Sequence, residues 1–268
     1  MRKVEAPGGA KDILLHACCA PCAGAVLECL LANGIRPTVF FSNSNIYPRA
    51  EYDLRLGELR RYADALGVEL VADEYDHDAW LAAVRGLERE PERGARCAAC
   101  FRFRLERAAQ YAASRCLPVL ATTLASSRWK DLDQVNTAGV LACRIDGALT
   151  PCTPSRGMAA ERFARGAPAQ ETWVVQTASG TEAAVGSENR ATLGIVRGGT
   201  AKRWGPKDVF RPEPTCSDAE QAAAVPVVFW AENWRKGGLQ ERRNEVIREQ
   251  AFYNQTWCGC EFSRQSNP

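Results

Sequence analysis

The sequence predicts an α/β protein built on a mostly parallel sheet, and three observations support this. Short apolar runs alternate with longer stretches of helical spacing. Helix-stopping signals fall between them, at Asn33-Gly34 and at Gly67. The chain also has 268 residues, of which 46% are hydrophobic, enough to bury a substantial core. Strands that alternate with helices imply right-handed crossovers and helices on both faces of the sheet.

The first strand is expected at "DILLHA" (12–17), followed by a helix over 21–32 that stops at Asn33-Gly34. "PTVFF" (37–41) reads as the second strand and "SNSNIYP" as the loop after it. Leu56, Leu59, Ala63 and Leu66 recur at helical spacing and predict a helix over 49–66, closed by Gly67. "VELVA" is a third strand, Asp78 is expected to cap a short helix, and 97–115 has the pattern of a longer one. "PVLATT" (118–123) is a fourth strand, followed by capping serines and a helix over 130–141. The rhythm then fails from 143 to 225, a stretch rich in Gly, Ala, Thr and Pro in which "ETWVVQTA" and "ATLGIVRGG" could pair as a hairpin. It resumes with "VPVVFW" (225–230) as a fifth strand and an amphipathic helix over 239–254, before the terminal "QTWCGCEFS". The expected organisation is a single α/β catalytic domain made of 1–142 and 226–268, with 143–225 as a partly ordered or flexible insertion before the last strand. Ligands of such folds bind beyond the carboxyl ends of the strands, so "HACCAPC", "SNSNIYP" and "TTLASS" should line one crevice.

A formal charge of +2 and a pI near 8.0 give no global attraction to nucleic acid, so any such partner must be met by local patches. The start, "MRKVEAPGGAKD", lacks the apolar core of a signal peptide. No run approaches the roughly 18 apolar residues a membrane span requires. A cytoplasmic protein without membrane contact is expected, and in that reducing compartment twelve cysteines suggest metal or redox chemistry rather than a disulfide framework.

Seven of those cysteines are clustered. Cys18, Cys19 and Cys22 follow the first strand, Cys97 and Cys100 form a C-x-x-C just before or at the start of the long helix, and Cys258 and Cys260 form a terminal C-x-C. Cys29, Cys116, Cys143, Cys152 and Cys216 are isolated and read as ordinary small apolar or incidental residues. Four thiolates satisfy one tetrahedral zinc or one 4Fe-4S cluster, so seven imply a second metal, a redox pair, or both. Adjacent Cys18 and Cys19 are expected to point in different directions on an extended backbone and to serve two neighbouring centres. Soft thiolate sites suit zinc and iron-sulfur alike, and both remain open at this level.

The stretches "LLHACCAPC", "YPRAEYDLRLGELRRYA", "RCAACFRFRLERAA", "ATTLASSRWKD", "WRKGG" and "YNQTWCGCEFS" together resemble the QueH family of epoxyqueuosine reductases, over about 1–142 and 226–263. The resemblance implies an adenine nucleotide alpha-hydrolase-like, Rossmann-like core. It also implies reduction of the epoxide of epoxyqueuosine in tRNA to queuosine, with release of water, by a 4Fe-4S cluster beside a single iron. On this basis Cys18, Cys97, Cys100 and Cys260 are assigned to the cluster and Cys19, Cys22 and Cys258 to the additional mononuclear iron, with an unidentified electron donor. Tyr47, Glu51 and Tyr52 are candidates to bond the modified base or deliver a proton, Tyr52 equally for packing. His16 is either a satisfied buried histidine or a supporting or proton-transfer group. Thr122, Thr123, Ser126, Asn43 and Asn45 are crevice-lining or simple turn and capping residues.

For the tRNA carrying epoxyqueuosine in its anticodon loop, Arg128, Trp129 and Lys130 after the fourth strand, with Trp234, Arg235 and Lys236 after the fifth, offer cation and aromatic pairs. The arginines of 85–115 are either a phosphate-binding patch or a solvated helix face diluted by glutamates. Two rival functions use the same residues: a zinc-stabilised tRNA-binding protein without catalysis, and a tRNA sulfur-transfer enzyme. The second would usually activate its substrate with ATP, and "HACCAPC" lacks the Gly- and Ser-rich sequence that cradles pyrophosphate.

Overall fold

The computed structural model describes residues 2–144 and 226–264. The expected hairpin, the basic "AKRWGPK", Cys152 and Cys216 lie outside the described residues.

Five strands form one all-parallel sheet in the order β3-β2-β1-β4-β5, namely β1 (Asp12–His16), β2 (Arg36–Phe41), β3 (Leu70–Ala72), β4 (Val119–Thr122) and β5 (Val228–Phe229). β1 takes the centre because Ile13, Leu14 and Leu15 are apolar without alternation, and both faces of the strand are covered. Each of these buried side chains contributes roughly 2 kcal/mol of hydrophobic stabilisation. From β1 the chain steps to β2 on one side and later to β4 on the other. The sheet order therefore reverses beside β1, the place at the carboxyl ends of the strands where such folds bind their ligands.

The helices are α1 (Ala20–Ala32), α2 (Arg49–Ala65), α3 (His77–Ala83), α4 (Ala95–Ser114), α5 (Leu132–Cys143), α6 (Leu239–Glu249) and α7 (Glu261–Arg264). Pro21 sits in the first turn of α1, where its missing N–H leaves no intrahelical bond unmade. Asp76, not Asp78, caps α3, since its carboxylate accepts from the Ala79 amide at 2.9 Å while Asp78 lies in the first turn. The cap of α5 is likewise Asp131, on the Gln134 amide at 2.9 Å, rather than a serine. α4 begins two residues earlier than expected, which places Cys97 and Cys100 inside its first two turns, on one face of the helix rather than ahead of it. α6 ends five residues early because the chain turns through a left-handed Ala251 (φ 51°) to bury Phe252 against Tyr62, ring centroids 5.2 Å apart. Two glycines set close approaches. A Cβ on Gly24 of α1 would lie 2.8 Å from Val246 Cγ1 of α6, and one on Gly139 of α5 would overlap the Phe229 ring on β5.

Candidate thiol metal centre

β1 delivers "HACCAPC" to the crevice. The backbone bends at Cys18, is extended at Cys19 (φ −176°, ψ 163°) and then enters α1. That bend overturns the expectation that Cys18 and Cys19 diverge, because a side chain alternates only along a continuous extended strand. Their sulfurs lie 3.8 Å apart, and with Cys22 they form a buried trio whose sulfurs are all within 4.8 Å of one another. The Cys18 amide donates to Thr123 Oγ1 at 3.2 Å, and Ser126 Oγ donates to the Cys22 carbonyl at 3.0 Å, so the loop after β4 fixes the loop after β1.

The other four thiols come from α4 and the terminal C-x-C. Cys97, Cys100, Cys258 and Cys260 bear on one another electrostatically, and Cys100 and Cys260 are buried with Trp80 and Phe103. The C-x-C is held by groups that are not thiols. Arg55 donates to the carbonyls of Cys258 (3.2 Å) and Trp257 (3.4 Å), and the Tyr47 amide donates to the Gly259 carbonyl at 2.9 Å. Gly259 has φ 97°, and a Cβ there would lie 2.8 Å from Ile46 Cγ1, so the motif requires glycine between its cysteines. His77 secures α7 through Nε2 to Glu261 Oε1 at 3.1 Å and bonds the Ser44 carbonyl through Nδ1 at 2.8 Å. Its ring stacks between Tyr47 and Trp80 at centroid distances of 5.1 and 5.3 Å.

The charges divide these thiols. Cys18 is held well below the usual thiol range by hydrogen bonds from Cys19 and Cys22, with the Lys130 and Arg104 cations acting in the same direction. Cys19 is pushed up by Cys18 and Cys22 and by burial, and Cys22 by Cys18 and burial against the opposing effects of Cys19 and Lys130. Cys258 is lowered to about 5 by the Cys260 thiol first, and also by Lys130, the Ser263 hydroxyl and the Cys260 amide. Cys97 is raised to about 11 by burial, against an N–H bond from Arg93. Burial opposes the charge on Lys130, but Cys18, Cys22 and Cys258 together outweigh it. The buried Cys18, Cys19 and Cys22 trio is a soft donor set that fits a metal ion, and a buried Trp80 Nε1–H that lacks a conventional acceptor bears on the Cys100 sulfur. The grouping cuts across the expected assignment, since Cys18 lies with Cys19 and Cys22, and Cys258 with Cys97, Cys100 and Cys260.

The remaining candidates are distributed as follows. His16 is fully buried, with Nδ1 on Thr122 Oγ1 at 2.9 Å and Nε2 on the Ser42 carbonyl at 3.1 Å. Burial, then Arg104, lowers its pKa to about 3, so the ring is neutral and ties β1 to the loops after β2 and β4. Tyr52 packs, its hydroxyl donating to the Asp73 carbonyl. Tyr47 is 46% exposed beside the C-x-C, and Glu51 pairs with Arg55 at 2.6 Å while accepting from Tyr253 Oη at 3.5 Å. Asn43 Nδ2 donates to the Ala17 carbonyl at 2.9 Å, so it supports the crevice. Trp129 is 62% exposed, with the Arg128 guanidinium 5.0 Å from its ring centre, and Lys236 is exposed nearby in sequence to Arg235, whose Nη2 donates to the Lys130 carbonyl at 2.8 Å. The arginine patch does not survive as a patch. Arg96, Arg104 and Arg107 are buried, with Arg107 on Asp73 and Arg104 on Asn43 and Ser42, and Arg102 is paired with Glu106. Arg55 and His77 escaped the sequence reading, while Arg93 and Arg104 fell within the arginine-rich 85–115 but bond carbonyl and amide oxygens of the protein rather than lying free. Only the Glu51–Arg55 spacing of four on a helix carried a signal.

Among the described residues no helix is long and apolar enough to cross a membrane. Residues 13–150 and 213–266 match the family model "Epoxyqueuosine reductase QueH". The chain is 32% identical to the epoxyqueuosine reductase QueH of Histophilus somni (97% of this chain, 75% of the relative) and 32% identical to that of Haemophilus influenzae (99% and 77%). It is 30% identical to that of Acinetobacter baylyi (97% and 84%). With its three cysteine motifs gathered at the carboxyl end of a parallel sheet, the chain belongs to the epoxyqueuosine reductase QueH family.

Proposed function

We propose that this chain reduces the epoxide of epoxyqueuosine in tRNA to queuosine at the crevice beside β1, and that its seven clustered thiols are the metal ligands. The observation that carries the reading is the buried Cys18, Cys19 and Cys22 trio, whose sulfurs lie within 4.8 Å of one another and which shares the Lys130 cation with Cys258, in a member of this family. The reaction breaks both C–O bonds of the epoxide, forms a C=C bond, consumes two electrons and two protons, and releases water. A 4Fe-4S cluster with an adjacent iron, held by these thiolates, would supply the electrons and a Lewis acid for the departing oxygen. We assign Cys18, Cys97, Cys100 and Cys260 to the cluster and Cys19, Cys22 and Cys258 to the iron, so each centre draws on both thiol groups. The electrons come from a donor outside the chain. The thiol-rich site suits a reducing cytoplasm.

The chain's own part is binding and proton supply. Trp129 and Arg128 present an aromatic face and a guanidinium to an unpaired base and its phosphate, and Lys236 adds a second cation. Tyr47 Oη and Glu51, the latter tied to Arg55 and Tyr253 Oη, are assigned to hydrogen-bonding the modified base or delivering a proton. His16, neutral and saturated with hydrogen bonds, positions the cysteine loop. The test is anaerobic incubation of reconstituted protein with tRNA carrying epoxyqueuosine and a chemical reductant, reading the nucleoside by mass. Loss of one oxygen is expected, with iron and acid-labile sulfide at roughly five to four. Stoichiometric zinc without sulfide, and unchanged nucleoside, would overturn the reading.

A further inference from the structure

Arg93, on the loop before α4, lies in the arginine-rich 85–115 stretch but outside the cysteine motifs and the Arg128–Lys130 loop, and makes four bonds that join two of them. Its amide donates to Cys97 Sγ at 3.2 Å. Its Nε donates to the Trp129 carbonyl at 3.1 Å and its Nη2 to the Arg128 carbonyl at 3.3 Å. Its own carbonyl accepts from Gln134 Nε2, on α5, at 2.6 Å. The next carbonyl of the same loop, that of Lys130, is taken by Arg235 Nη2, and Arg93 is close enough to Arg235 to reduce the latter's proton affinity beyond the effect of burial. Two guanidiniums thus hold three consecutive carbonyls, those of Arg128, Trp129 and Lys130, while the Trp129 ring stays in solvent. Arg93 does this from a left-handed backbone (φ 66°), a conformation that side chains other than glycine rarely adopt and that persists only where surrounding contacts impose it.

We propose that Arg93 is a positioning residue for the tRNA substrate: its side chain fixes the carbonyl edge of the Arg128–Trp129–Lys130 loop while its amide holds the Cys97 sulfur, so a single residue sets how the aromatic platform stands relative to the thiol centre. The proposal rests on the reductase reading, and it deepens it by naming a residue that acts through the loop rather than on the RNA. A guanidinium spent on two backbone carbonyls acts by its fork geometry, which lysine cannot reproduce. A guanidinium on a phosphate acts largely by charge, which lysine retains.

Arg93→Gly keeps the amide and relaxes the backbone but removes the fork, and Arg93→Lys keeps the charge. Both should bind tRNA carrying epoxyqueuosine about tenfold more weakly than the parent, since each loses a pair of charge-assisted hydrogen bonds. Both should also keep the parent's slope of log affinity against log salt, show faster amide hydrogen exchange across 127–131 without tRNA, and retain the parent's iron and sulfide content. Arg93→Lys binding like the parent, with Arg93→Gly losing about one unit of salt slope, would make Arg93 a phosphate contact and overturn the proposal. Parental affinity and exchange in both variants would also overturn it, while leaving the reductase reading intact. A parent chain that does not bind this tRNA would remove both.

Discussion

His16 shows how a residue that looks catalytic in sequence can be explained by its surroundings. The unfolded chain takes up a proton on this ring below the ordinary histidine value of 6.5, whereas the buried ring resists it until about pH 3. The unfolded state therefore binds more protons in that window, so this contribution to stability is complete above pH 6.5 and falls as the pH drops toward 3. In the metal-free protein, His16→Gln should lose stability less steeply with acid over this window, as read by urea midpoints at each pH. An identical slope would contradict the buried-neutral assignment. Cys97→Ser should abolish the visible cluster absorption after reconstitution. Cys29→Ser should leave it intact, because Cys29 bonds the Arg2 carbonyl instead. The clustered cysteines were legible because metal ligation leaves a spacing in the chain. The arginines of α4 misled for the opposite reason. Arg96, Arg104 and Arg107 share a buried face with Cys100, Phe103 and Tyr111, and the partner that makes burial of Arg107 tolerable, Asp73, is 34 residues away in sequence.

Among the elements, the β–α alternation was readable throughout, and the errors lie at the ends. Helix termini are decided by what the next residue can bury or cap, as Phe252 does beyond α6 and Asp76 does before α3. β5 was expected over six residues but pairs over two, Val228 and Phe229, and among the described residues its ladder is with β4. Its hold on the sheet depends on α5, where Gly139 faces the Phe229 ring without a side chain. Gly139→Ala would force that ring aside and should destabilise the protein by about 1–3 kcal/mol, seen as a lower urea midpoint with unchanged iron binding. Parental stability would show that the α5–β5 contact is slack.

For the whole molecule, the crevice lies among β1, β2 and β4, while the chain between α5 and β5 leaves from one edge of the sheet. The family model passes over 151–212, within the stretch whose rhythm fails in the sequence. We propose that this stretch is an insertion into a single catalytic domain. Replacing 151–212 with a short Gly/Ser linker should leave the thermal transition and the iron and sulfide content near those of the parent, and a collapse of either would make the stretch part of the core. What could not be read from the sequence at this scale was the meeting of residues about 240 apart in the chain. Spacing signals cover a few turns of helix, and the fold alone brings Cys18 and Cys258 within electrostatic reach of the same Lys130.

The bend that gathers Cys18 and Cys19 also has a consequence for handling. Arg55, Tyr47 and His77 secure the terminal motif through its backbone carbonyls and α7. At the first motif a thiolate-prone Cys18 lies within 4.8 Å of the Cys19 and Cys22 sulfurs, the arrangement of a peroxide trap with resolving partners in place. Protein prepared in air should therefore titrate two thiols short until treated with reductant, and its capacity for iron should return with them.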